Sequence, residues 1–325
     1  MPEKPDRQPG AYTSHTEGPA KADPLGIARA MHPLQATRYL AWLYSSPLQR
    51  PVLAALCEIE SEIAGSLRPG LDHHVAHTRL QWWREECERC TQGRPVHPLT
   101  RELVSAYGAG ATDTSGPSPL AGIIGFADTA VWDLARATFE TRREVTAYCE
   151  RWAGAMIEPV ADYAAAGGAG APTEGPTAAH AVSAPGKSRW RALGAALREI
   201  ELLSDLAHEA HAGRLRVPLD ELERASVDST SVAKSPWPAA LVTLLRERHE
   251  ALRASIGQCV SGLDREEQAS SRGLLVWAAL ASQLSSRAQR ALPNAITPSR
   301  YHALADGWRA WRAARQALTG SIRLS

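Results

Sequence analysis

Apolar residues recur along the chain at steps of three and four, the spacing that lines one face of an α-helix. The pattern predicts helices near 34–67, 72–91, 98–107, 119–139, 141–165, 188–212, 236–263, 266–291 and 298–319. Val and Ile are sparse, so little or no sheet is expected. Two stretches interrupt the periodicity, "GAGATDTSGPSP" at 108–119 and "AAAGGAGAPTEGPTAAH" at 164–180, both built from residues that forfeit helix stability. In "SPWPAALVTLLRERHEAL", Ser235 reads as a cap and Pro236 as first-turn residue of a helix. Residues 1–32, rich in Pro, Gly, Ser and charge, read as a disordered leader outside the fold. No internal repeat of fixed period is present, and neither half is self-contained. The expectation is one all-α domain over 33–319, with flexible loops near 108–118 and 164–180.

Composition narrows the picture. A hydrophobic fraction of 44% supports a sizeable core, and ten Trp against two Phe, with abundant Ala, Leu and Arg, suggest helices packed through small residues with a few large aromatic anchors. The balance of 36 basic and 35 acidic residues argues against nucleic acid as a partner, because phosphate-backbone binding needs a cationic surplus. No apolar run approaches the roughly 20 residues that span a bilayer, and the start lacks a basic-then-apolar signal segment; a cytoplasmic location is the default expectation. Five cysteines, an odd number in a long chain, suit reduced thiols.

Candidate chemistry concentrates in "ELLSDLAHEAHAGRLRVP", residues 201–218. Glu201, Asp205 and Glu209 are four apart, so on a continuous helix they share one face over two turns. Stacked like charges repel unless solvent screens them or a divalent cation lies between them, and both readings stay open from spacing alone. His73, His74 and His77 with Cys87 and Cys90 invite a zinc reading, but the spacing matches no finger or ribbon and ordinary helix surface is preferred. No Gly-rich nucleotide loop or nucleophile elbow appears.

Five segments together resemble the squalene/phytoene synthase family, all-helical proteins of the isoprenoid synthase fold. They are "LYSSPLQRPVLAALCEIESEI", "HTRLQWWREECERCTQGRPVHP", "AYCERWAGAMIEP", "IELLSDLAHEAHAGRLRVPLDEL" and "ITPSRYHALADGWRAWRAARQA", covering about 34–318 in the family's order. The resemblance implies a single helical bundle around a central cavity. It also implies two facing DxxxD motifs whose Mg2+ ions bridge the diphosphates of prenyl substrates such as farnesyl or geranylgeranyl diphosphate, driving ionisation and head-to-head prenyl transfer.

Carried over by position, Asp205 and Glu209 stand at the second motif as the catalytic Mg2+ ligands, with Glu201 as an auxiliary carboxylate. Arg79 and Arg214 become diphosphate contacts, and Tyr148 either a substrate contact or a core residue. The first motif falls on Ala64 and Arg68 and is lost; a displaced set at Glu58, Glu60 and Glu62 is the alternative. Ile157 replaces a family Gly and either shortens a prenyl channel or packs in the core. Two functions follow. One is a protein of isoprenoid biosynthesis that binds a prenyl diphosphate with Mg2+. The other is a catalytically inactive assembly factor or scaffold, resembling the family's respiratory complex I assembly branch, with a protein partner or membrane surface as its contact. NADPH use is not legible.

Overall fold

A computed structural model describes residues 33–68, 70–108, 118–165, 184–296 and 302–324. The expected leader at 1–32 and most of the two expected loops, at 109–117 and 166–180, lie outside the described residues. Thirteen α-helices and no strand occur among the described residues: α1 (Pro33–Tyr44), α2 (Gln49–Ala64), α3 (His73–Thr91), α4 (Pro98–Gly108), α5 (Gly125–Leu134), α6 (Arg142–Ala165), α7 (Ala184–Ser204), α8 (Leu206–His211), α9 (Leu219–Arg224), α10 (Ala239–Ser261), α11 (Arg265–Ser270), α12 (Arg272–Ala291) and α13 (His302–Thr319).

The long helices form where the periodicity placed them. On α2 the apolar stripe Val52, Leu53, Leu56, Ile59 and Ile63 is fully buried. α12 is enclosed, with Leu274, Leu275, Val276, Trp277, Ala278 and Ala279 all buried, because α1, α7, α10 and α13 pack around it. Each such Leu or Ile contributes roughly 1.5–3 kcal/mol by leaving water. α6 lies against α7, and the contact is close because Gly194 carries no side chain; a Cβ there would stand 2.6 Å from Ala153 Cβ and 2.8 Å from Ile157 Cγ1. Ile157 is thereby placed: its side chain packs onto α7 as part of the core.

Polar side chains fix several ends. Asp72 caps α3, accepting from the backbone N–H of His74 and Val75 at 2.8 and 3.2 Å. Buried Glu86 ties α3 to the start of α4. Its carboxylate accepts the backbone N–H of Val96 and His97, each at 2.8 Å, the Thr100 hydroxyl and Arg89 Nε. Burial would raise the Glu86 pKa, but these donors outweigh it and hold it down.

Boundaries depart from the pattern where tertiary contacts intervene. The segment at 34–67 breaks after Tyr44, and 266–291 breaks at Ser271. α10 starts at Ala239, not at Pro236, because Trp237 is held outside the helix: its backbone N–H donates to Pro293 O at 2.8 Å and its indole to Val232 O at 2.9 Å. The segment at 188–212 breaks at Asp205, whose φ of −108° and ψ of 17° leave the α region. Just before it, Ser204 Oγ donates back to Ile200 O at 2.7 Å, a bond that loosens a helical turn.

Candidate functional site

Five helices bring charged and aromatic side chains to the centre of the bundle. Arg38 of α1 donates from Nη1 to Glu60 Oε2 of α2 at 2.6 Å and from Nη2 to Glu201 Oε2 of α7 at 3.1 Å. Arg198, one turn before Glu201, donates to the same Glu201 oxygen at 3.0 Å and lies 3.7 Å from Glu60 Oε1. Trp152 of α6 donates its indole N–H to Glu60 Oε1 at 2.7 Å. The Arg38 guanidinium lies 5.7 and 5.5 Å from the ring centroids of Trp152 and Trp277, and that of Arg198 lies 5.4 Å from Trp152. Burial raises the Glu60 pKa, but Arg38 and Arg198 overcome it and the carboxylate is held below its ordinary value.

These groups lie deep in the bundle, yet Arg38, Glu60 and Arg198 keep 17%, 14% and 18% of their side-chain surface accessible, so a solvent-sized space adjoins them. Arg38 Nε, Arg198 Nε and Glu201 Oε1 are themselves buried and have no hydrogen-bond partner among the described residues.

A second network starts past the break at Asp205. Arg214 grips Glu209 through Nε at 2.9 Å and Nη2 at 2.7 Å, and Arg216 reaches Glu209 Oε2 through Nε at 2.8 Å and Nη2 at 2.5 Å. Gly213, at φ +80°, supplies the left-handed turn that folds this arginine pair back onto α8. Arg216 also donates to Asp133 Oδ1 at 2.7 Å, and Tyr148 donates its hydroxyl to Asp133 Oδ2 at 3.0 Å. Burial alone would raise the Glu209 pKa; the Arg214 hydrogen bond and the Arg216 charge override it and hold Glu209 at about 2. Burial first, then the Asp133 charge, pushes Tyr148 up to about 12. Arg198 joins the two networks, its Nη2 standing 3.5 Å from the Tyr148 hydroxyl.

The sequence-predicted residues are thus distributed unevenly. Glu201, Glu209, Arg214 and Tyr148 all enter the linked networks, but the acids do not act as one stack: Glu201 engages Arg38 and Arg198, Glu209 engages Arg214 and Arg216. Asp205 sits half-buried at the junction between α7 and α8. Arg79 lies elsewhere, exposed on α3 in a cleft of about 360 Å3 with Glu62, Thr78, Trp82, Trp83 and His97. Of the displaced set on α2, Glu60 belongs to the central network, while burial and then the charges of Glu102 and Glu62 raise the Glu58 pKa. His73 and His77 are exposed, ten residues or more from the buried Cys87 and Cys90, which is about 15 Å along one helix.

Sequence reasoning missed Arg38, Arg198, Asp133, Trp277 and the role of Arg216. The available signal was a charge inside an apolar stretch: "ATRYLAWLY" and "GAALREIELL" each place an arginine where the surrounding residues are core-forming.

The arrangement does not fit a divalent ion at Glu209. Both of its oxygens are bound by guanidinium groups, and Mg2+ would sit beside two fixed positive charges. Among the described residues no three His, Cys, Asp or Glu side chains converge to hold a metal ion. Across the two networks four arginines face four carboxylates, so the charges already balance.

An all-α bundle that converges acidic and aromatic side chains on a central space is the architecture of an isoprenoid-synthase-type protein. The squalene/phytoene synthase family model matches residues 34–309, and the chain belongs to that family. Two solved structures share the fold. One is a dehydrosqualene synthase in complex with ligand, at 14% identity and a TM-score of 0.65, covering 86% of this chain and 92% of that one. The other is the squalene synthase HpnC from Alicyclobacillus acidocaldarius, at 14% identity and a TM-score of 0.57, covering 79% and 93%. A search of curated proteins returned no match. No helix among the described residues is long and apolar enough to cross a membrane.

Proposed function

We propose that this chain is a member of the squalene/phytoene synthase family that has given up Mg2+-dependent head-to-head condensation and acts as a scaffold. One observation carries the reading: among the acids at or near the two motif positions, Glu60 and Glu201 are each engaged by Arg38 and Arg198, and Glu209 by Arg214 and Arg216. A metal-dependent synthase needs net negative charge there to hold ions that pull the diphosphate away. Incubating the full chain with farnesyl or geranylgeranyl diphosphate and Mg2+ should release no diphosphate above the protein-free control. Release that Asp205→Asn abolishes would overturn the proposal.

A second reading, retention of a prenyl diphosphate within isoprenoid metabolism, is favoured by the accessible space beside the central network. Trp152 and Trp277 flank the Arg38 and Arg198 guanidinium groups there as apolar walls, and both arginine side chains keep part of their surface accessible. Calorimetric titration with farnesyl thiodiphosphate in EDTA tests it. Metal-independent binding that Arg38→Met weakens would support ligand retention, and no heat of binding would leave the scaffold alone.

A further inference from the structure

The last helix is built inside out. α13 packs on α12 and α1 through Ala310, Ala313, Ala314 and Ala317, all buried, and turns its large apolar residues to solvent. Leu304, Trp308, Trp311 and Leu318 are 87%, 59%, 46% and 47% exposed. Their spacing of four, three and seven lays them in one stripe along the helix. Arg309, Arg312 and Arg315 are exposed on the same helix; Arg312 stacks 5.6 Å from the Trp308 ring and Arg315 5.3 Å from Trp311. The helix has one acidic residue, Asp306, and Arg287 of α12 neutralises it at 2.6 Å.

We propose that this face of α13 docks on an anionic lipid surface. The combination selects that occupant. Three arginines without an exposed carboxylate on the helix call for a negatively charged partner, although the chain as a whole has a net charge of only +1. Tryptophan is the side chain whose apolar ring and N–H suit the boundary between headgroups and acyl chains, and arginine stems lie along such a boundary with their charge at the phosphates. A second copy of the chain would bring the same arginines against one another, which like charge opposes. The inference is independent of whether the central site retains a ligand.

The test is cosedimentation of the full chain with vesicles, backed by intrinsic tryptophan fluorescence. Vesicles mixed from phosphatidylglycerol and phosphatidylcholine should bind the protein, pure phosphatidylcholine should bind it poorly, and added salt should release it. Each arginine near such a surface is worth about fivefold in partitioning. Arg312→Glu with Arg315→Glu should therefore weaken binding by more than about tenfold, and Trp308→Ala with Trp311→Ala should both weaken it and remove the emission blue-shift. Unchanged melting of both variants verifies folding, since these side chains are exposed. Absence of vesicle binding by the unmodified chain overturns the proposal, as does binding indifferent to either pair of substitutions. A concentration-dependent dimer that only the tryptophan pair abolishes, without vesicle binding, assigns the stripe to a second copy and overturns it too.

Discussion

Arg38→Met is the sharpest probe of the central network. The guanidinium bridges Glu60 at 2.6 Å and Glu201 at 3.1 Å and stacks between Trp152 and Trp277. Removing one partner of a buried pair typically costs about 3–5 kcal/mol, because the remaining charge is left uncompensated. Two features place this site at the lower end: Arg198 still lies 3.0 Å from Glu201 and 3.7 Å from Glu60, and the accessible space admits some screening. We expect a loss of about 3 kcal/mol at neutral pH, read by denaturant unfolding with helical circular dichroism. Adding Glu60→Gln removes the stranded charge, so the double variant should be more stable than the sum of the singles by at least about 1 kcal/mol.

The pH arm has a fixed sign. In the folded protein Glu60 lies below its ordinary value of 4.5, so its contribution is full above 4.5 and fades as pH falls through the depressed folded value. Without Arg38 that depression shrinks, and the gap between variant and parent should narrow below pH 4.5. Strict additivity of the two substitutions, or a gap that widens in acid, would refute the account of arginines neutralising facing acids.

Three further outcomes follow from other contacts. Gly194→Ala should cost about 1–3 kcal/mol by forcing α6 from α7, since the new Cβ would lie 2.6 Å from that of Ala153; unchanged denaturant unfolding would contradict the packing. Burial, and then the neighbouring Arg253 charge, lower His249 to about 4 from 6.5, so the fold gains by keeping it neutral. That stability is full above 6.5 and lost as pH falls toward 4, and His249→Gln should flatten melting temperature over this window. Cys57, Cys87, Cys90 and Cys149 are buried, with burial pushing each thiol upward, so native protein should react with a thiol reagent first at half-buried Cys259, and at the other four only on unfolding.

What the sequence determined was the set of helices and their buried faces. The stripe Val52, Leu53, Leu56, Ile59 and Ile63 and the enclosed run in α12 follow from the 3.6-residue period, a local property that packing only confirms. Family membership was legible too, because it resides in the order and spacing of short segments. The charge state of the site was not. Glu201, Asp205 and Glu209 stand at helical spacing, yet a turn at Asp205 sends Glu201 to arginines on α1 and α7 and Glu209 to arginines thirteen and fifteen residues past Glu201.

Arg38 and Glu201 are 163 positions apart, and their 3.1 Å contact exists only because α1 and α7 meet at the bundle centre. No periodicity encodes such a distance. The same holds for α13: its sequence shows two apolar stripes, one of alanine and one of tryptophan and leucine, and hydrophobicity alone would bury the larger one. Only the close approach of α12 and α1, which admits small side chains, decided that alanine faces inward and tryptophan faces out.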